Sequence, residues 1–236
     1  MKMTLIPRFF IVTMVILASC RKETPGTLSS SSITVVNTIE TANELAVYFS
    51  DTALAYYIDQ APVPYASSLE YGIPSATTSV LAISSFDTAM VMATTLALKP
   101  GGIYSLYFAG SGLPQVPVDV VFSQDTIPVY SDSAAGVRFI SLSPGSGPVT
   151  VNLQGNLPTQ TEFPALAYKQ ISAFKGYPDT SGITSYTFEI RDQASGNLLS
   201  TFQWNFTLFK SNTLTICGSE NPNSMTPINV FQINNF

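Results

Sequence analysis

The second half of this chain repeats the pattern of the first half, and this repeat limits the possible folds more than any other feature. Five short segments recur in the same order. The matched pairs are residues 33–37 with 137–142, 45–49 with 149–153, 69–76 with 166–173, 103–109 with 214–217, and 117–120 with 227–230. Five ordered matches are hard to obtain by chance, so the repeat indicates two copies of one domain.

Within each copy, short apolar or alternating segments predict β-strands. In the first copy they are separated by turn residues such as Pro74, Asp87 and Gly101. Short strands at this spacing are typical of a sandwich or barrel, and no segment keeps a helical period for three turns. We therefore predict an all-β chain of two tandem immunoglobulin-like or transthyretin-like β-sandwich domains. They span residues 33–127 and 136–236, with a linker at 128–135.

The N-terminus has the features of a bacterial lipoprotein signal. Basic residues precede an apolar segment at 9–17, and residues 17–20 read Leu-Ala-Ser-Cys. The apolar segment is shorter than the ~20 residues that a membrane-spanning helix needs, but it fits a secretory signal. The tetrapeptide resembles a lipobox, so we predict a signal peptide at 1–19 and lipidation at Cys20. An ordinary signal peptide or an uncleaved anchor fits these residues less well.

A polar, Ser-rich segment follows the predicted anchor. Residues 20–32 hold the lipidated cysteine and a tether with no apolar period. As a flexible coil this tether spans ~20 Å, which lifts a domain clear of lipid headgroups. We expect an outer-membrane lipoprotein in the cell envelope of a Gram-negative bacterium. Only Glu23 is acidic close behind Cys20, so the periplasmic and surface faces both stay open.

Composition excludes several classes of function. The chain has no histidine, and therefore lacks the commonest general base and transition-metal ligand. Two of its ten basic residues, Lys2 and Arg8, lie in the signal peptide, which leaves eight against fifteen acidic residues and a net charge of −7. This balance argues against binding to nucleic acid or to anionic lipid headgroups. We expect no cofactor and no metal.

Two further residues are predicted to be structural. Once Cys20 carries lipid, Cys217 has no partner for an intramolecular disulfide. It follows apolar residues in a predicted strand, so we expect a buried, unreactive thiol. Trp204 lies on the alternating face of residues 202–206 and is expected in the core of the second copy.

The tandem repeat, the Leu-x-Tyr-x-x-x-Ser-Ala element at 69–76 and 166–173, and the Gly-Ser pairs at 110–111 and 218–219 resemble the domain of unknown function numbered 4397. Members are bacterial, secreted or lipid-anchored, and often tandem. The resemblance implies a β-domain fold and an envelope location, and it carries no established activity. Residues 37–40 depart from the family's acidic, Gly-rich turn, whereas 143–145 are closer to it.

Motifs that would support catalysis are incomplete. Residues 172–175 spell Ser-x-x-Lys, but the Ser-Asp-Asn and Lys-Thr-Gly partners of that chemistry do not occur. The turn at 145–147 lacks the Gly-x-Ser-x-Gly pattern, and no histidine is available to activate a serine. A glycosidase needs only two carboxylates, but the acidic residues are scattered along the chain.

Tyrosines in the long connection of the first copy stand out from the rest of the composition. Tyr56, Tyr57 and Tyr65 are our candidate ligand contacts, because tyrosine offers an apolar face and a polar tip. Tyr71 matches Tyr168 in the repeat and is expected to be structural. The alternative is that all these rings cap the sandwich core.

Two hypotheses about function remain. The first is a non-enzymatic binding or structural module on a lipid anchor, whose partner is a glycan, a peptide or an envelope protein. The second is a carboxylate-dependent hydrolase on the same anchor. The absence of histidine and the small repeated domains favour the first.

Overall fold

The structure is a computed structural model that describes residues 29–49, 61–75, 77–84, 90–111, 118–131, 133–179, 182–221 and 224–235. These residues form sixteen β-strands, and none of them is helical. The all-β prediction is therefore confirmed. Cys20, Tyr56 and Tyr57 lie outside the described residues, as does the predicted signal peptide.

The first eight strands belong to the first copy of the repeat. They are β1 (Ser30–Asn37), β2 (Glu44–Tyr48), β3 (Val63–Pro64), β4 (Ser67–Pro74), β5 (Thr77–Ser84), β6 (Met90–Ala97), β7 (Ile103–Ala109) and β8 (Asp119–Gln124). The second copy supplies the other eight. They are β9 (Ala134–Ser141), β10 (Val149–Leu153), β11 (Thr161–Leu166), β12 (Lys175–Pro178), β13 (Ser185–Asp192), β14 (Leu198–Asn205), β15 (Ser211–Cys217) and β16 (Asn229–Asn235).

Both copies arrange their eight strands in the same way. In the first copy, sheet I has the order β4-β1-β7-β8 and sheet II the order β3-β2-β5-β6. In the second copy, sheet III has the order β12-β9-β15-β16 and sheet IV the order β11-β10-β13-β14. The first and seventh strands of each copy pair in parallel, and the other pairs are antiparallel. An immunoglobulin constant domain instead divides its strands into ABED and CFG sheets. Of the two sandwich types predicted, the transthyretin-like one therefore fits.

In one of the five sequence matches, the matched residues do not lie on equivalent strands of the two copies. Leu69 and Tyr71 lie in β4, whereas Leu166 ends β11 and Tyr168 follows it. The counterpart of β4 is β12, which begins only at Lys175. Two residues join β3 to β4, but residues 167–174 join β11 to β12, and this difference in loop length displaces the motif. The Leu-x-Tyr match is thus wrong as a repeat element.

Each sandwich encloses its own apolar core. Alternate residues of β1 and β7, such as Val35 and Leu106, pack with sheet II in the first core. The equivalent residues of β9 and β15, such as Phe139 and Leu214, pack with sheet IV in the second core. Trp204 is fully buried there, as predicted.

A third core joins the two sandwiches. It lies between sheets I and III and contains six buried apolar residues: Val36, Tyr107, Ala109, Ile140, Leu142 and Ile233. Full burial of one Val, Leu or Ile side chain contributes about 1.5–3 kcal/mol, so this cluster strongly favours the packed arrangement. The central strands β1, β7, β9 and β15 are consequently covered on both faces. The order of layers is sheet II, sheet I, sheet III and sheet IV.

Candidate binding cleft

An open cleft lies at one end of the second sandwich, where β14 turns into β15. Its volume is about 260 Å³. The residues that line it are Thr207, Lys210, Ser211, Asn212, Gln232 and Asn234. Ser211 and Asn212 are buried and form the floor, whereas Thr207, Lys210 and Asn234 are exposed at the rim. The antiparallel register of β15 and β16 places Asn212 directly opposite Asn234.

Hydrogen bonds fix the amide groups of the cleft. The buried Trp204 indole N–H donates to Asn212 Oδ1 at 2.9 Å. Asn212 Nδ2 donates in turn to Asn234 Oδ1 at 2.9 Å, and Gln232 Nε2 donates to the same oxygen at 2.8 Å. A chain of this kind holds polar groups in one orientation before a ligand arrives.

The turn beside the cleft contains a conformationally unusual residue. Phe209 has a φ of 65°, in the left-handed region that a bulky side chain rarely adopts. Its backbone N–H donates to Ala134 O at 2.8 Å, and the next amide, of Lys210, donates to Thr207 O at 3.2 Å. The Phe209 side chain is nevertheless 53% exposed. Strain of this type costs ~1–3 kcal/mol and is concentrated at functional sites.

The first copy has the same turn with a glycine in the strained position. Gly101 has a φ of 68° and donates its N–H to Ser30 O at 2.9 Å. The following amide, of Gly102, donates to Lys99 O at 2.9 Å. Both hydrogen bonds correspond to those of the second copy. Glycine is the usual residue at such a φ, because it has no Cβ to clash. The second copy therefore carries a phenylalanine where the fold by itself favours glycine.

The first copy also fills the space that forms the cleft in the second copy. There Tyr104 and Phe122 stack with ring centroids 5.3 Å apart, and Tyr104 Oη accepts a hydrogen bond from the Lys99 N–H at 2.8 Å. By strand register, Tyr104 corresponds to Asn212 and Phe122 to Gln232. The cleft is thus a difference between the copies, in which two rings are replaced by amides.

The predicted tyrosine contact Tyr65 lies elsewhere, between the two sandwiches. Its side chain is half-buried, and its hydroxyl lies within hydrogen-bonding reach of Cys217 and Thr226 of the second copy. Burial raises the pKa of Tyr65, and the nearby Cys217 adds to this effect. A ligand contact would be expected to expose more of its ring than Tyr65 does. Tyr56 and Tyr57 lie outside the described residues, so their role as ligand contacts stays a prediction.

Cys217 is buried, as predicted. Burial raises the pKa of its thiol to about 12, and the nearby Glu40 carboxylate acts in the same direction. A hydrogen bond from Tyr65 partly opposes these effects. At neutral pH the group is a thiol, which is a poor nucleophile.

The Ser-x-x-Lys motif has no catalytic geometry. Ser172 Oγ accepts a hydrogen bond from the Phe139 N–H at 2.9 Å and donates one to Ala173 O at 3.0 Å. Lys175 forms a salt bridge with Glu162 instead of approaching the serine. Both residues therefore have structural partners.

Among the described residues no group of three His, Cys, Asp or Glu side chains could hold a metal ion. In the same part of the chain, no helix has the length and apolarity that crossing a membrane requires.

Sequence reasoning missed the cleft. A signal was present in the repeat, because the residues before the matched strands read Pro100-Gly101-Gly102 in one copy and Leu208-Phe209-Lys210 in the other. The loss of Gly102 has a packing reason, because a Cβ at this position would clash with the Tyr104 ring, which the second copy lacks. The change from Gly101 to Phe209 has no such reason, because it puts a bulky residue at a left-handed φ.

The described residues define a tandem β-sandwich protein with an open polar cleft in its second sandwich. No family model matches the chain, and no curated protein matches it. Among solved structures, it is similar to CBMbc of family CBM26 from Eubacterium rectale Amy13K, in complex with maltoheptaose. The identity is 11%, the TM-score is 0.27, and the match covers 86% of this chain and 97% of that one. A likeness at this level identifies neither a family nor a function.

Proposed function

We propose that this protein is a lipid-anchored module of the cell envelope that binds its ligand without catalysing a reaction. The observation that carries the proposal is the cleft of the second sandwich. Its amide groups are oriented by hydrogen bonds, and it is open to solvent. Since a third core joins the two sandwiches, the cleft is presented on one firmly packed body.

The lipobox supports the anchor. Cys20 follows small residues directly behind an apolar segment, and the tether after it reaches far enough to keep the sandwiches clear of the membrane. Several acyl chains attach a protein far more firmly than the one chain that gives marginal binding. The resemblance to the domain of unknown function is consistent with a lipid-anchored bacterial protein, and we propose the outer membrane of a Gram-negative bacterium as its location.

The cleft does not support the hydrolase alternative. Its six described lining residues include no carboxylate, whereas glycoside hydrolysis uses two, ~5–10 Å apart. The buried carboxylates of Asp125 and Glu189 form salt bridges with Arg138 and Arg191. Binding is therefore the function that this geometry favours, with a glycan, a peptide or an envelope protein as the partner. The acidic chain remains a poor partner for nucleic acid.

The anchor is tested by acyl labelling and membrane fractionation of the full chain and of Cys20→Ala. We expect the parent to be labelled and to sediment with membranes, and the variant to remain an unlabelled precursor. Equal labelling of the two would disprove the anchor.

Binding is tested by a pull-down of glycans and envelope proteins with the soluble form that lacks residues 1–20. We expect a retained partner that is recovered chemically unchanged. Recovery of a cleaved partner would show that the protein is an enzyme.

A further inference from the structure

We propose that the cleft and the adjacent Phe209 bind one ring of a neutral oligosaccharide, with Phe209 as the stacking surface. This inference rests on the proposed binding function and names the ligand class of its site. It depends on three observations: the strained phenylalanine, the polar chemistry of the cleft and its size.

Phe209 is poorly explained as a structural residue. It occupies a left-handed position where the first copy has Gly101, and both turns make the same two backbone hydrogen bonds. Its ring does not fill a core either, since half of the residue is exposed. An aromatic ring kept in solvent at a strained position offers an apolar face to a ligand.

Phe209 is adjacent to the cleft along the chain, although it is not one of the lining residues. It stands in the turn between Thr207 and Lys210, and both of these residues line the cleft. A ring of a saccharide has an apolar face formed by its C–H groups and a rim of hydroxyls. Phe209 suits that face, and the amides of the cleft suit the hydroxyls.

The polar groups of the cleft match hydroxyls better than charged groups. An amide both donates and accepts hydrogen bonds, as a hydroxyl does. Asn234 Oδ1 already accepts two hydrogen bonds, whereas the Asn234 amide N–H groups and Gln232 Oε1 bond to no described residue. Lys210 provides further donors at the rim and belongs to none of the salt bridges found among the described residues.

The charge of the cleft and of the chain favours a neutral ligand. No carboxylate lines the cleft among the described residues, so a cationic ligand would lack a partner. The acidic balance of the chain opposes a polyanion.

The cleft is suited to one ring of a longer chain. Its volume of about 260 Å³ lies just below the ~300–1,000 Å³ of pockets that enclose a whole drug-sized ligand. It is also open, so neighbouring rings can continue along the surface. The space exists because Asn212 and Gln232 replace the stacked rings Tyr104 and Phe122 of the first copy.

The test uses the full chain in detergent and four probes: maltohexaose, cellohexaose and mannohexaose, with hexagalacturonate as the charged comparison. Trp204 is the only tryptophan of the chain, and it donates to Asn212 on the cleft floor, so its fluorescence reports on the site. Calorimetry supplies the affinities. We expect at least one neutral hexasaccharide to bind and to change the fluorescence.

Phe209→Gly restores the turn of the first copy. We expect it to weaken binding by about tenfold or more, as removal of a central aromatic contact does, and to leave the melting temperature unchanged or raised. Phe209→Tyr keeps the ring and should keep the affinity. A structural role for Phe209 would instead lower the melting temperature of Phe209→Gly.

The inference is overturned if no neutral hexasaccharide binds, if hexagalacturonate binds more tightly than all three, or if Phe209→Gly binds as well as the parent. These outcomes differ from failure of the proposed function. If an envelope protein or peptide is retained equally by the parent and by Phe209→Gly, the binding module survives and only the saccharide site is wrong.

Discussion

The guanidinium of Arg138 in the second sandwich donates to the carboxylate of Asp125, which follows the last strand of the first sandwich, at 2.8 Å. The two side chains are 6% and 0% exposed. Asp125 also accepts hydrogen bonds from Ser105 at 2.5 Å and Ser123 at 3.2 Å, and Arg138 donates to Thr213 at 2.9 Å. This ion pair lies beside the third core and links the two sandwiches.

Arg138→Met should destabilise the protein by about 3–5 kcal/mol, because it leaves the buried Asp125 charge uncompensated. Urea unfolding of the full chain measures the effect. Lys169→Met is the matched control, since Lys169 pairs with Asp119 across the same interface but the two side chains are 43% and 33% exposed. The free energy of unfolding of Lys169→Met should be lower than that of the parent by at most about 1 kcal/mol. Similar losses in both variants would contradict the role given to the buried pair.

The two sandwiches, expressed separately as residues 29–127 and 133–235, should each melt cooperatively, because each keeps its own core. Each also exposes the residues of the third core, so the two pieces should associate one to one when mixed. Sedimentation measures the complex, and Ile140→Asp should weaken it. If neither piece folds while the whole chain does, the sandwiches are not independent domains.

Asn212→Ala should lower the free energy of unfolding by about 1–3 kcal/mol, because it leaves the buried Trp204 N–H without an acceptor. The matched control is Asn234→Ala, whose amide is exposed at the cleft rim and whose partners can turn to water. Chemical unfolding compares the two. Equal losses would mean that the Trp204 hydrogen bond is not what Asn212 contributes.

Cys217 should make the protein less stable at high pH. Its folded-state pKa of about 12 lies above the ordinary value of 9.0, so the folded state holds the proton more tightly than the unfolded state. The stabilisation that this tighter proton binding gives the folded state is fully present below pH 9 and is lost as the pH rises to about 12. The free energy of unfolding should fall by at most about 1.36 kcal/mol per pH unit from this group.

Cys217→Ala isolates the effect of thiol ionisation, because the stability of this variant should fall less steeply than that of the parent as the pH rises from 9 to about 12. A thiol reagent should also label the native parent slowly at neutral pH. Rapid labelling would show that the thiol is accessible.

Tyr65→Phe should lower stability by about 0.5–1.5 kcal/mol, because it removes a hydroxyl that bonds across the interface. It should leave saccharide binding unchanged, since Tyr65 does not line the cleft. Tyr57→Ala in the same binding assay tests the prediction that Tyr57 contacts the ligand. A loss of affinity at an unchanged melting temperature would support a role for Tyr57 as a ligand contact.

Local sequence patterns specify the strands and their duplication. Short alternating segments bounded by Gly and Pro can bury one face only in a sheet, which is why the all-β prediction and four of the five matches hold. These patterns also specify the burial of Trp204 and Cys217, since both lie in apolar strand segments.

The packing of the two copies against each other depends instead on contacts between residues far apart in the chain. Arg138 is a single charge within an otherwise apolar strand, and its partner Asp125 lies in a polar segment just before the predicted linker. A buried charge is tolerated only when an opposite charge and hydrogen bonds lie within reach, and local sequence does not show which distant residue supplies them.

The cleft is likewise formed by residues from segments far apart in the chain. Asn212, Gln232 and Asn234 are ordinary polar residues in the sequence. The register of β15 with β16 brings two of the amides face to face, and the folding of β14 places Trp204 beneath them. Strand pairing between segments far apart in the chain is a property of the whole packed sheet, so no local pattern could have assembled this site.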